Sequence, residues 1–144
     1  MTERRSPRAD LVRLPDWESR LAKVANDWKH RPYVYGVSDC GQFALAAVTA
    51  VTGAVLLDDI VWPRGWLGVA KVMLANGWDS VEATMDDILP RSAIRWPRRG
   101  DIVSFGDQEE LHLGVRVGDV ALSQGVGGLV TIAPARWLRA WAVG

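Results

Sequence analysis

PYVYGVSDCGQFALAAVTAVTG, residues 32–53, carries the only cysteine of a 144-residue chain and places it where a helix should begin. Upstream, Pro32, Gly36 and Ser38 rule out a long regular element. Downstream, Phe43, Ala44, Ala47, Val48 and Val51 recur at helical spacing, and Gly53 supplies the stop. Asp39 stands at the N-cap, and Gln42 three residues later completes a capping box in its Asp form. Cys40 is then the first helical residue, beside unpaired N–H groups and the positive end of the helix dipole. That position favours thiolate over thiol and offers donors to an oxyanion. Asp39 acts against it, because an adjacent carboxylate disfavours the thiolate, so the chemistry needs a base. On the residues alone, the plainer reading of Cys40 is a small buried hydrophobe.

Working outward, Ala44, Ala46, Ala47 and Ala50 keep this helix slim, which suits a central helix lying close to a sheet. Before it, Trp17, Leu21, Val24 and Trp28 predict a helix from Asp16 to Lys29, with Asp16 as cap after Pro15. His30, at its end, reads as a charge at the dipole's negative pole. Residues 1–13, with Arg4, Arg5, Arg8 and Arg13, read as a flexible or partner-docked arm, and residues 14–144 as one domain. After Gly53, the apolar stripe Trp66, Val69, Ala70, Met73 and Leu74 predicts a third helix to Asn76, and Met85–Leu89 a short helical turn. Asp58, Asp59, Asp86 and Asp87 share no ligand-spacing motif, so no metal and no cofactor are expected.

From Pro97 the texture changes. Asp101–Phe105, Leu111–Val117, Val120–Leu122, Leu129–Ile132 and Leu138–Val143 are short apolar runs divided by Gly, Asp and Pro, a meander of about five antiparallel strands. Helices first and strands second predict an α+β fold with helices on an antiparallel sheet. Alternation sets His112, Gly114, Arg116 and Gly118 on one face of their strand, and a face with two glycines is one that something approaches closely. A hairpin at Gly118-Asp119 returns Gln124 beside His112. Cys40, His112 and an orienting Gln124 are the minimum for thiol acyl transfer; a hydrogen-bonded strand histidine and a loop-end glutamine are the plainer reading.

Composition narrows the function classes. Lys+Arg and Asp+Glu both total 17, so no global field favours nucleic acid or an anionic membrane. One cysteine excludes an internal disulfide framework and fits a reducing compartment. The charged start MTERRSPRAD is not a signal peptide, and no apolar run is long enough for membrane insertion. Eight tryptophans are many for this length, and some suit a groove or an interface.

Three blocks together resemble the NlpC/P60 superfamily of papain-like cysteine peptidases, which cut peptide bonds in bacterial peptidoglycan. Pro32-Tyr33-Val34-Tyr35-Gly36 with Asp39-Cys40-Gly41-Gln42-Phe43 is similar to its cysteine block. Arg99-Gly100-Asp101-Ile102-Val103-Ser104-Phe105 is similar to its "PGDLVFF" strand, and His112 to Gly118 to "HVGIYVG". Gln124, 12 residues after His112, stands where the family usually has a second histidine. The blocks keep the family's order over about residues 30–132. The departures are a single Gly36, a shorter loop before Cys40, Gly41 in place of Ser, and Gln124 in place of His. Trp17-Glu18-Ser19-Arg20-Leu21 and Ala140-Trp141-Ala142-Val143 resemble a phage, prophage and gene-transfer-agent subgroup of tail-tip proteins.

The resemblance implies a papain-like fold with Cys40 as nucleophile, His112 as general base and then acid, and Gln124 as orienter, the two side chains of the pair within hydrogen-bonding reach. It implies an oxyanion and substrate site at Tyr33, Asp39 and Gly41, the Cys40 N–H and Tyr33 hydroxyl polarising the carbonyl. The function implied is a cysteine endopeptidase acting on peptidoglycan stem peptides during wall penetration, made in the host cytoplasm and carried in the virion tail tip. The alternative is an inactive or weak structural protein of the same tail tip, needed for assembly. The implied partners are tail-tip or hub proteins, docked through some of Trp62, Trp66, Trp96 and Trp137.

Overall fold

The computed structural model describes residues 5–93, 95, 97–107 and 109–144. Four helices come first: α1 Trp17–Trp28, α2 Cys40–Thr52, α3 Trp66–Ala75 and α4 Val81–Ile88. The strands follow: β1 Arg91–Ser92, β2 Ile102–Gly106, β3 Leu111–Arg116, β4 Ala121–Gly125, β5 Gly128–Ile132 and β6 Arg139–Trp141, with a 3-10 turn at Pro134–Arg136. They form one antiparallel sheet in the order β1-β6-β2-β3-β4-β5. The α+β layout is the expected one. It has one strand more, because β1 is a two-residue edge pairing with the far C-terminal β6. The fourth helix also runs longer than the expected turn, since Ser80 caps it by accepting the Ala83 N–H at 3.1 Å.

Helix α2 forms for the reasons its sequence gives. Asp39 Oδ1 accepts the Gln42 N–H at 2.7 Å, and Oδ2 accepts the Gly36 N–H at 2.7 Å. One carboxylate thus closes the preceding loop and starts the helix. The reciprocal half of a capping box, a bond from the Gln42 side chain, is not formed. Gly36 sits at φ +80°, where a Cβ would lie 1.9 Å from the Pro63 carbonyl oxygen, so this loop accepts only glycine. The helix ends at Gly53 in the left-handed region, φ 78°, with its N–H on the Thr49 carbonyl. Its side chains Phe43, Ala44, Ala47, Val48 and Val51 are buried against α1, β3 and β4. Asp16 occupies the N-cap of α1 but makes no capping bond; burial of Leu21 and Trp28 holds that helix instead.

Strand alternation divides the apolar side chains into two clusters, one on each face of the sheet. Ile102, Leu113, Val115 and Trp141 join α1, α2 and α4 in the main core. Val103, Phe105, Ala121, Ile132 and Ala140 face the other way, covered by Trp137. Of the N-terminal arm, residues 5–13 are described (Arg4 lies outside), and they run along the domain. Arg5 pairs with Asp59 and lies over the Trp78 ring, and Leu11 is buried in the main core. Arg13 reaches the buried Asp101 at 3.0 Å, which also accepts the N–H groups of Arg98 and Val143. That carboxylate ties the arm, the start of β2 and the C-terminus together.

Candidate active site

Cys40 opens α2 with its thiol turned into the domain, 4% exposed. The Tyr33 hydroxyl donates to Cys40 Sγ at 3.8 Å, and the Tyr35 ring meets Tyr33 edge-on, centroids 5.0 Å apart. Burial pushes the thiol up to about 11. The Leu113 N–H opposes that rise most strongly, Asp39 adds to it, and the Tyr33 hydroxyl and Gly41 N–H oppose it more weakly. The helix-start position supplies donors, as expected, but desolvation outweighs them. The Tyr33 hydroxyl is raised too, first by burial and then by the nearby Cys40 and Asp39 charges.

A two-chambered cleft opens at this thiol. The inner chamber, of about 100 Å³, is lined by apolar side chains such as Leu45, Leu57, Trp62, Val69 and Met85 together with Asp39, Cys40 and Gly41. The outer chamber, of about 270 Å³, shares Tyr33, Tyr35 and Cys40 with it and is also lined by Asp79, Glu109, Glu110 and His112. Tyr33, Asp39, Cys40 and Gly41 therefore line one chamber.

His112 shares the outer chamber with Tyr33 and Cys40 but makes no bond to the thiol, and Gln124 lines neither chamber. His112 faces Phe105 across the β2–β3 ladder and stacks on its ring, centroids 5.4 Å apart. Phe105 belongs to the cluster on the face away from α2, whereas Cys40 packs with Leu113 on the other. His112 reaches the outer chamber at its rim, where Nε2 lies 3.7 Å from Glu110 Oε1, and it makes no hydrogen bond to Cys40. The expected Cys40–His112 bond is thus corrected by strand parity: the residue whose side chain points toward α2 is Leu113. Gln124 in turn lies on the α2 face, with Leu122 and its ladder partner Leu129. Its Nε2 is spent on the Arg31 carbonyl at 2.6 Å and the Gly125 carbonyl at 2.9 Å, and Oε1 is buried without a partner. Gln124 fastens the loop between α1 and α2 to the sheet and orients no imidazole.

Sequence reasoning passed over three participants. Tyr35 stands in the Pro32–Gly36 block, Glu110 in the loop before His112, and Leu113 on the strand face opposite His112. Only Tyr35 had a local signal, its spacing of two from Tyr33. Of the tryptophans named for docking, Trp66 is exposed, Trp62 is half-buried and stacked on Trp78, Trp137 is half-buried, and Trp96 lies outside the described residues. No described group of His, Cys, Asp and Glu could hold a metal ion, and no helix is long and apolar enough to cross a membrane.

Fold and site together define an α+β domain with a helix-borne, buried thiol at the junction of two chambers. The chain belongs to the family described as Domain of unknown function (DUF6950), which matches residues 12–143. No curated protein matches it.

Proposed function

We propose that the chain is a papain-like module of the NlpC/P60 type, serving in a phage or gene-transfer-agent tail tip, whose cleft holds a ligand without turning it over. The single observation behind this reading is that the Cys40 thiol takes its side-chain hydrogen bond from Tyr33 while the His112 imidazole stacks on Phe105 and makes none to it. Thiol acyl transfer needs a thiolate and a base within hydrogen-bonding reach. Here burial raises the thiol, and no imidazole hydrogen-bonds to it among the described residues. The tail-tip assignment rests on the resemblance of the cysteine block, of Trp17–Leu21 and of Ala140–Val143. Helix α3 adds support for an assembly role: it buries only Val69 and leaves Trp66, Leu67 and Leu74 exposed, a patch suited to a neighbouring tail-tip or hub protein.

The endopeptidase acting on stem peptides is the second reading. What favours it is the set of donors around Sγ, namely Tyr33, Gly41 and Leu113, and the outer chamber that both Cys40 and His112 line. Digestion of purified peptidoglycan by the intact protein and by Cys40→Ala, read by mass spectrometry, separates the two. The expected result is no peptide release by either protein. Release by the intact chain that disappears with Cys40→Ala overturns the non-hydrolytic reading and establishes the peptidase.

A further inference from the structure

The cleft is not uniform, and its asymmetry specifies a ligand. In the inner chamber the apolar side chains Leu45, Leu57, Trp62, Val69 and Met85 line a space of about 100 Å³, several times what one water needs. Among the described residues, the lining of the outer chamber holds three carboxylates, Asp79, Glu109 and Glu110, and no lysine or arginine. Asp79 and Glu109 have no cationic partner among the described residues, and Glu110 has only the imidazole of His112 at 3.7 Å. The chambers meet at Tyr33, Tyr35, Cys40, Met73 and Val81, which line both. A single elongated molecule can therefore occupy both.

We infer that this cleft binds an amphiphilic amine: an aliphatic body lodges in the inner chamber and an ammonium group faces Asp79, Glu109 and Glu110. The inference deepens the reading of the cleft as a binding site by naming what it takes. The aliphatic part gains from leaving water in a site lined by Leu, Val, Met and Trp. The ammonium stays hydrated at an exposed rim, where three carboxylates supply attraction without the cost of burying a charge. A carboxylate-headed chain of the same length meets repulsion at the same rim, so the sign of the head group decides the selectivity. The ligand passes beside Cys40 and shields its thiol.

The test uses the full chain and three probes with the same tail: octylamine, octanol and octanoate. Binding is followed by tryptophan fluorescence, since Trp62 and Trp66 line the two chambers, and by the rate at which a small alkylating reagent modifies the single cysteine. Octylamine is expected to bind about tenfold more tightly than octanol, with octanoate weakest. At about ten times its dissociation constant it should slow Cys40 alkylation about tenfold. The paired variant Asp79→Asn with Glu110→Gln, both at exposed positions, should bring octylamine down to the octanol value. Octanoate binding as well as octylamine, no protection of Cys40, or no binding of any probe to the folded protein overturns the inference. Cys40-dependent release of peptides from peptidoglycan, by contrast, would overturn the non-hydrolytic reading and leave this selectivity untouched.

Discussion

The two faces of the sheet are cut from the same strands and hold different things. On the α2 face, Ile102, Leu113, Val115 and Trp141 share a core with three helices, and this core includes the thiol. On the outer face, five buried side chains lie under Trp137, with the Arg136 guanidinium and the His112 imidazole against Phe105. A cysteine and a histidine that resemblance pairs are therefore separated by one step of strand parity. Sequence spacing sets which residues share a face, whereas packing sets which face meets the helix.

The strongest way to break this comparison is to empty each side in turn. Phe43→Ala removes a fully buried ring packed 5.4 Å from Trp28 and should cost about 4 kcal/mol in urea denaturation. Phe105→Ala removes a ring of the same size from the thinner outer cluster, where Arg136 and His112 can settle into the gap. It should cost about 3 kcal/mol or less. Equal costs would mean that the outer cluster is as closed a core as the inner one.

The thiol itself supplies the next test. Its ordinary value near 9 is raised to about 11 in the folded chain, so between these pH values the unfolded chain gives up a proton that the folded chain keeps. The folded state then binds more protons, and stability falls as pH rises from about 9 to 11, by roughly 2–3 kcal/mol. Tyr33, raised for the same reason, extends the fall above about pH 10. Urea midpoints across this range should drop in the intact chain, and Cys40→Ala should flatten the first part of the drop. A chain whose stability holds level between pH 9 and 11 would mean the thiol is open to solvent.

Much of this could be read before the structure. Helix α2, its Asp39 cap and its Gly53 stop are local patterns, and local patterns are what a sequence displays. The five longer strands and the Gly118-Asp119 turn were equally legible, for Val117 and Val120 do bond across that turn at 3.1 Å. The turn even carried the correction: counting back from it along both strands sets Leu113, not His112, opposite Gln124. What no local pattern shows is that the α2 face is the one bearing Leu113, because that depends on how Val115, Ile102 and Trp141 pack against α1, α2 and α4. Strand β1 escaped for a related reason, since two residues gain strand geometry only from β6, nearly fifty positions away. The rim carboxylates lie in two loops, Asp79 before α4 and Glu109 and Glu110 before β3, which only the tertiary fold brings together.

Asp39 joins the legible and illegible parts, because it caps the helix and also disfavours the thiolate. Asp39→Ala should cost about 1–2 kcal/mol by releasing the Gln42 and Gly36 N–H groups. Asp39→Asn keeps an acceptor for the cap and removes only the charge. Its fold should hold while Cys40 titrates lower, seen as faster alkylation at pH 9 than in the intact chain. If Asp39→Asn left the alkylation rate unchanged, burial alone would account for the raised thiol.

The smallest expected effect is the most discriminating. His112→Ala should leave the pH dependence of Cys40 alkylation where it was, because the imidazole stacks on Phe105 and makes no bond to the thiol. Tyr33→Phe should move that titration further up, because the hydroxyl it removes is a donor that favours the thiolate. A shift with His112→Ala as large as that with Tyr33→Phe would mean that the imidazole reaches Cys40 across the outer chamber in solution. The pair would then exist as a populated second arrangement, and the peptidase reading would gain the base it lacks. No shift with His112→Ala, together with a clear one with Tyr33→Phe, leaves a thiol governed by burial and by the Tyr33 hydroxyl that bonds to it.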